Sequence, residues 1–349
     1  MDFTDAITEN TLRTIRFERP EYIPVVFWIN PACWHHYPPD ALHELVSNHP
    51  LLFPNAQPSP RLAPWECAEE PYVDSWGCTW ETTDDGITGS VTGHPLADWD
   101  ALGSFTPPDP AQTNGMGPID WHGIEEEIAS IRHKSELPVG SLEHGHTFLR
   151  LTYLRGYERL LYDMADGDRR LRRLIEMVEA FSLGIVERYV DLGVAMMRYP
   201  EDLGMQRGPM LSPEHFREYL KPVYERLMAP ARKAGCLVHM RSDGDIRDLV
   251  DDLVVSGVDA LNLQDFVNGI DWIRARLKGR ICIDLDIDRQ SVTRFGQPEQ
   301  IDALIREEVQ KLGSPEGGLM MIYGLYPGVP LENVKALMDA MERYATFCP

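Results

Sequence analysis

CLVHMRSDGDIRDLVDDLVVSGVDALNLQ, residues Cys236–Gln264, is the stretch whose reading decides the fold. A short apolar run, Cys236–Val238, passes into a polar cluster, His239–Asp243, and then into Gly244. A helix is predicted from about Asp245 to Val255, followed by Gly257 and a second apolar run, Ala260–Leu263. Strand, polar loop, crossover helix and next strand are the parts of a parallel βαβ unit. Side chains alternate faces along a strand, so His239, Arg241 and Asp243 share a face if the strand persists that far. Three converging ionisable groups at the carboxyl end of a strand point to chemistry. The local alternative is a solvated loop in which Asp243 or Asp245 caps the helix.

Outward from this unit the same alternation recurs. Apolar strands are predicted at Ile23–Trp28, Leu137–Leu142, Val194–Tyr199, Ile281–Asp284 and Leu319–Ile322. Helical spacing covers residues 5–16, 119–133, 147–164, 168–192, 213–234, 271–277, 298–312 and 331–345. Strands separated by helices imply right-handed crossovers and a parallel sheet, and this many units match an (β/α)8 TIM barrel. Seven strands are placed this way, with Leu51–Phe53 the candidate for the eighth. Residues 1–349 are read as a single domain, with 31–118 as an aromatic-rich insertion after the first strand. That insertion carries Trp34, Trp65, Trp76, Trp80 and Trp99, and Asp85-Gly86 inside Tyr72–Thr92 is a hairpin signal. It is either a lid or a packed structural excursion.

The composition is that of a globular chain, 43% hydrophobic and 25% charged. A formal net charge of −22 argues against nucleic acid or an anionic membrane as partner. No apolar run approaches the length of a membrane span, and Met1–Asn10 has no secretory pattern. Cys33, Cys67, Cys78, Cys236, Cys282 and Cys348 lack metal or redox spacing, so reduced thiols in a cytoplasmic protein are expected.

In a barrel the residues following each strand meet at one face. Here these are Trp28, Asn30, Glu143, His144, His146, Glu201, Asp202, Gln206, His239, Arg241, Asp243, Gln264, Asp265, Asp284, Asp286, Asp288, Tyr323 and Tyr326. Such a set can do general acid–base work, and histidine with carboxylates can hold zinc. Plainer roles stand beside these: His144 or His146 satisfying a loop carbonyl, Asp284/Asp286/Asp288 capping a helix, and Cys282 filling the core.

Several short motifs, in order, carry a resemblance. They are Asp74-Ser-Trp-Gly77 with His94-Pro-Leu96, Glu201-Asp-Leu-Gly204 with Leu211-Ser-Pro-Glu214, and Ser242-Asp-Gly244. Gly257-Val-Asp259, Phe295-Gly-Gln-Pro298, Gly317-Gly318 and Val329-Pro-Leu-Glu-Asn333 complete them. Together they resemble the uroporphyrinogen decarboxylase superfamily, which includes corrinoid- and folate-linked methyltransferases on a barrel. The tetrapyrrole decarboxylase of that group has an arginine-bearing segment after the first strand. Phe27–Trp34 has no arginine, so that reaction is not expected. The zinc methyltransferases are similar in carrying His-x-Cys-Gly after the central strand, where this chain has Arg241 and Asp243.

The resemblance implies a methyltransferase moving a methyl group from a small methoxylated or methylated compound to a corrinoid (cobalamin) on a partner protein. Asp202, His239 and Asp243 would position or protonate the substrate. Trp28, Asn30, His144, His146, Gln206, Arg241 and Tyr323 would bind it, Arg241 taking its anionic group. A metal site such as zinc would fall to Glu143, His239 and Asp243. The alternative is a metal-free decarboxylase of a small aromatic or pyrrolic acid. The superfamily also makes a homodimer an expectation.

Overall fold

The computed structural model describes residues 3–54, 60–133 and 136–346. The parallel strands are β1 (Val25–Ile29), β5 (Val139–Ser141), β6 (Met196–Asp202), β7 (Leu237–Asp243), β8 (Ala260–Gln264), β9 (Cys282–Asp286) and β10 (Leu319–Leu325). Their order in the sheet is β1-β10-β9-β8-β7-β6-β5, and the fold class is the (β/α)8 barrel. Between β1 and β5 lies a second sheet, β2 (Tyr72–Val73), β3 (Thr79–Glu81) and β4 (Ser90–Gly93), in that order. The hairpin signal therefore marks a real sheet, with Asp85-Gly86 in the connection from β3 to β4.

Two compact units make up the chain, Met1–Thr8, Tyr72–Trp80 and Val91–Asn262 in one, Glu9–Pro71, Glu81–Ser90 and Leu263–Pro349 in the other. In the first, β5, β6 and β7 pair in parallel, and β6 and β7 stay in register from Met196↔Leu237 to Asp202↔Asp243. The helix Arg169–Asp191 buries Leu171, Leu174, Ile175, Val178, Phe181 and Ile185, a stripe at helical spacing. Each such side chain contributes roughly 1.5–3 kcal/mol when removed from water. In the second unit β1, β10 and β9 pair in parallel, with Phe27 opposite Tyr323.

The structure corrects several boundaries. Leu51–Phe53 is a turn rather than a strand, because the Leu51 and Leu52 amides donate to the Glu342 carboxylate and Phe53 donates to the His49 carbonyl. The helix expected over 147–164 is two, Phe148–Arg155 and Tyr157–Asp166. Gly156 breaks them at φ +85°, a left-handed conformation outside any right-handed helix. The helix after β7 starts at Val250 rather than near Asp245. Asp245 instead serves the neighbouring loop, its carboxylate accepting from the Gly208 amide at 3.0 Å. No helix among the described residues is long and apolar enough to cross a membrane. Cys33, Cys67, Cys78, Cys236 and Cys282 are free, and Cys348 lies outside the described residues.

Candidate functional site

The polar ends of β5, β6 and β7 build the site in the first unit. β7 persists as strand through Asp243, so His239, Arg241 and Asp243 fall on one face. Register sets Asp202 directly beside Asp243, and the Asp243 amide donates to Asp202 Oδ1 at 3.2 Å. Arg241 Nη2 lies 3.5 Å from Asp243 Oδ1, both side chains about one-third exposed. His239, one step further back, is buried.

Across from this pair, in the turn after β5, His144 Nε2 lies 3.4 Å from Asp202 Oδ1. Burial opposes the imidazolium, but the hydrogen bond and charge of Asp202, with the charge of Glu201, win and raise the His144 pKa above its ordinary value. Burial works against the Asp202 carboxylate too, and His144, the Asp243 amide and Arg241 together hold it below the usual range. The result is a partly exposed histidine–carboxylate pair, with the Arg241 guanidinium acting on both. Such a pair can hold and deliver one proton near an anion.

Glu201, adjacent to Asp202, points to the opposite face. Its carboxylate is fully buried and accepts from the amides of Thr147 (2.9 Å), Phe148 (2.8 Å) and Leu149 (3.2 Å) and from the Tyr224 hydroxyl (3.1 Å). It caps the start of the helix Phe148–Arg155, where unsatisfied amides and the helix dipole favour a negative charge. Burial pushes its pKa up to about 7 against those donors.

The loops that follow β6 and β7 touch backbone to backbone. A Cβ built on Gly244, at φ +81°, would lie 2.2 Å from the Gly204 carbonyl carbon, so only glycine fits. The Gly204 amide donates to the Asp243 carbonyl at 3.2 Å.

Other expected site residues land elsewhere. His146 is buried, and burial takes its pKa down to about 3, so it is a neutral imidazole and not a surface ligand. Gln206 is exposed in the bend after β6. In the second unit, Trp28 is 45% exposed and meets Tyr326 edge-on at 5.8 Å. Asn30 is buried and its Oδ1 accepts from the Ala32 amide, a turn-closing role. Tyr323 is fully buried, packed on Phe27 at 5.2 Å with its hydroxyl on Thr293 Oγ1, so it offers no surface to a substrate. Asp288 caps the next turn through the amides of Gln290, Ser291 and Thr293. Asp286 pairs with Arg289 at 2.8 Å.

The zinc set does not assemble. Glu143 follows β5 and is held by Asn114 Nδ2 at 2.7 Å, while His239 and Asp243 belong to β7, with β6 between. Strands two places apart are separated by about 10 Å. Among the described residues no group of three or more His, Cys, Asp or Glu side chains is arranged to hold a metal ion. The fixed charge of Arg241 beside Asp243 opposes a dication at that carboxylate.

Comparison with known proteins fits this geometry into a family. Residues 74–344 match the family described as Uroporphyrinogen decarboxylase (URO-D). The chain belongs to the uroporphyrinogen decarboxylase family. It is 22% identical over 196 residues to human uroporphyrinogen decarboxylase, covering 54% of this chain and 50% of that protein. To the Thermus thermophilus enzyme of that name it is 31% identical over 140 residues, covering 39% and 38%. The chain thus spans about half, or less, of the length of these relatives. A solved methyltransferase from Methanosarcina mazei shares the fold over 97% of this chain and 98% of its own, at TM-score 0.64 and 18% identity. The chain is a uroporphyrinogen decarboxylase-like protein and not that decarboxylase itself.

The Asp74-Ser-Trp-Gly77 stretch acquires a physical reason in the structure. Asp74 is buried, accepts from the amides of Trp76 and Cys78 and from Trp80 Nε1, and pairs with buried Arg150 at 2.6 Å. Removing one partner of such a pair costs about 3–5 kcal/mol. Sequence reasoning missed Arg150, which sits inside an ordinary helical pattern. It also missed the His144–Asp202 pairing, which depends on β5 and β6 being neighbours in the sheet.

Proposed function

We propose that this protein is a methyltransferase that takes a methyl group from a small methoxylated, anionic compound and passes it to a corrinoid carried by a partner protein. The observation that supports this reading is the His144–Asp202 pair beside Arg241. A reduced corrinoid supplies the electron pair that takes up the methyl group. The electrons of the broken C–O bond leave with the oxygen, which then needs a proton. His144 holds one: its Nε2–H faces Asp202, and Nδ1–H is the proton delivered to the leaving oxygen. Asp202 keeps the ring oriented and charged until the transfer. Arg241, steadied by Asp243, takes the substrate carboxylate or phenolate.

The test supplies cob(I)alamin and a panel of methoxybenzoates and follows formation of methylcobalamin and the free phenol. Methyl transfer that falls with His144→Asn and Arg241→Ala supports the reading; no transfer from any of them removes it. Arg241 beside Asp243 also favours a second reading, in which the guanidinium anchors a small aromatic or pyrrolic acid that loses CO2. There the His144 proton replaces the lost carboxylate on carbon. CO2 released from such an acid without a corrinoid would support this second reading.

A further inference from the structure

In the same unit as the candidate site, lined in part by Glu143 and His146 on either side of His144, lies a small cavity of about 10 Å³. Its lining includes His146, Glu143, Asn114, Ser182 and Arg150 among apolar side chains. His146 is 5% exposed, its Nδ1 is engaged with Thr147 Oγ1 at 2.7 Å, and its Nε2 has no protein partner. A buried ring nitrogen left unpaired is costly, and a cavity of ~10–15 Å³ with two or more polar walls holds one water.

We propose that this cavity is a binding site for a single water molecule that bridges His146 Nε2 and the Glu143 carboxyl group, and that this bridge positions His144. Glu143 and His146 flank His144 in the turn after β5, which passes through Gly145 at φ +73°. Asn114 Nδ2 anchors one side of the Glu143 carboxyl at 2.7 Å, and the water takes the other. Whichever tautomer His146 adopts, Nε2 finds a partner: a water donates to the bare nitrogen or accepts from its N–H. The other oxygen of the Glu143 carboxyl group accepts from the same water. The turn is then tied at both ends, and the ring between them is held toward Asp202. His146 and Glu143 are positioning residues in this account. The inference does not depend on which group the site transfers.

Two measurements test it. A crystal structure of the wild-type chain at a resolution that orders internal water is expected to show one peak within hydrogen-bond distance of His146 Nε2 and the Glu143 carboxyl. A dry cavity overturns the proposal. His146→Phe removes the nitrogen and leaves one Glu143 oxygen without its bridge, so the melting temperature should drop by a few degrees. The His144 titration, followed by proton NMR, should move down toward its ordinary value. If His146→Phe folds with an unchanged or higher melting temperature and an unchanged His144 titration, the bridge is absent. If the variant does not fold, the wild-type crystal decides.

Discussion

The two faces of the β6–β7 pair put the same side-chain chemistry to opposite uses. Glu201 and Asp202 are neighbours, yet one is sealed against a helix by four donors and the other stands in a half-exposed cluster with His144, Arg241 and Asp243. Around Glu201 every hydrogen-bond partner is an uncharged donor, and no solvent reaches the carboxylate. That arrangement fixes backbone. Around Asp202 a titratable ring and a guanidinium join the Asp243 amide, and the cluster is partly exposed. A carboxylate's role here follows from which side of one strand it leaves, not from its neighbours in sequence.

The comparison predicts a clean separation of effects, beginning with the largest. His144→Asn or Asp202→Asn should lower turnover by about 10²–10⁴-fold, the range for losing a positioned acid, with little change in urea midpoint. A large loss of stability at either position would place them with Glu201 and erase the contrast. Glu201→Gln should do the reverse. Turning an amide group toward four donors should cost ~2–4 kcal/mol of unfolding free energy, read from urea titration. A cost under ~0.5 kcal/mol would mean that the cap is not holding the helix. Arg241→Ala should raise KM for an anionic substrate ~10–100-fold, the worth of one charge-assisted contact, and leave neutral analogues unaffected. Equal losses for both would remove its anion-binding role.

The smallest effect is in pH dependence. The folded His144 pKa is raised, so its contribution to stability is full below the ordinary histidine value and is lost as pH rises through the raised one. The folded Asp202 pKa is lowered, so its contribution is present above the ordinary aspartate value and is lost as pH falls through the lowered one. The pair therefore stabilises most between those limits. Half-exposed, it is worth only ~0.2–1 kcal/mol. His144→Asn should flatten that part of the stability–pH curve in thermal melts, and a curve of unchanged shape would show that the two groups are not coupled.

Much of the fold was legible because apolar runs alternate with helical stripes along most of the chain. The strands begin close to where those runs begin. Apart from β5 they end later, and the misreadings at β6 and β10 follow from that. β6 continues through Pro200 to Asp202, and β10 continues through Tyr323 to Leu325, because parallel backbone pairing persists after the apolar residues stop. Reading β6 as ending at Tyr199 leaves Glu201 and Asp202 in one loop; reading it to Asp202 puts them on opposite faces. The same extension turns Tyr323 from a loop residue into a core one. The β7 cluster was legible because its alternation survives into the polar segment. The His144–Asp202 pair depends on which strands are neighbours, and spacing along the chain does not carry that.

Because glycine meets glycine where the β6 and β7 loops cross, neither loop can shift without dragging the other. A side chain introduced at either glycine would therefore disturb Asp202 and Asp243 together, the two carboxylates from which these loops depart.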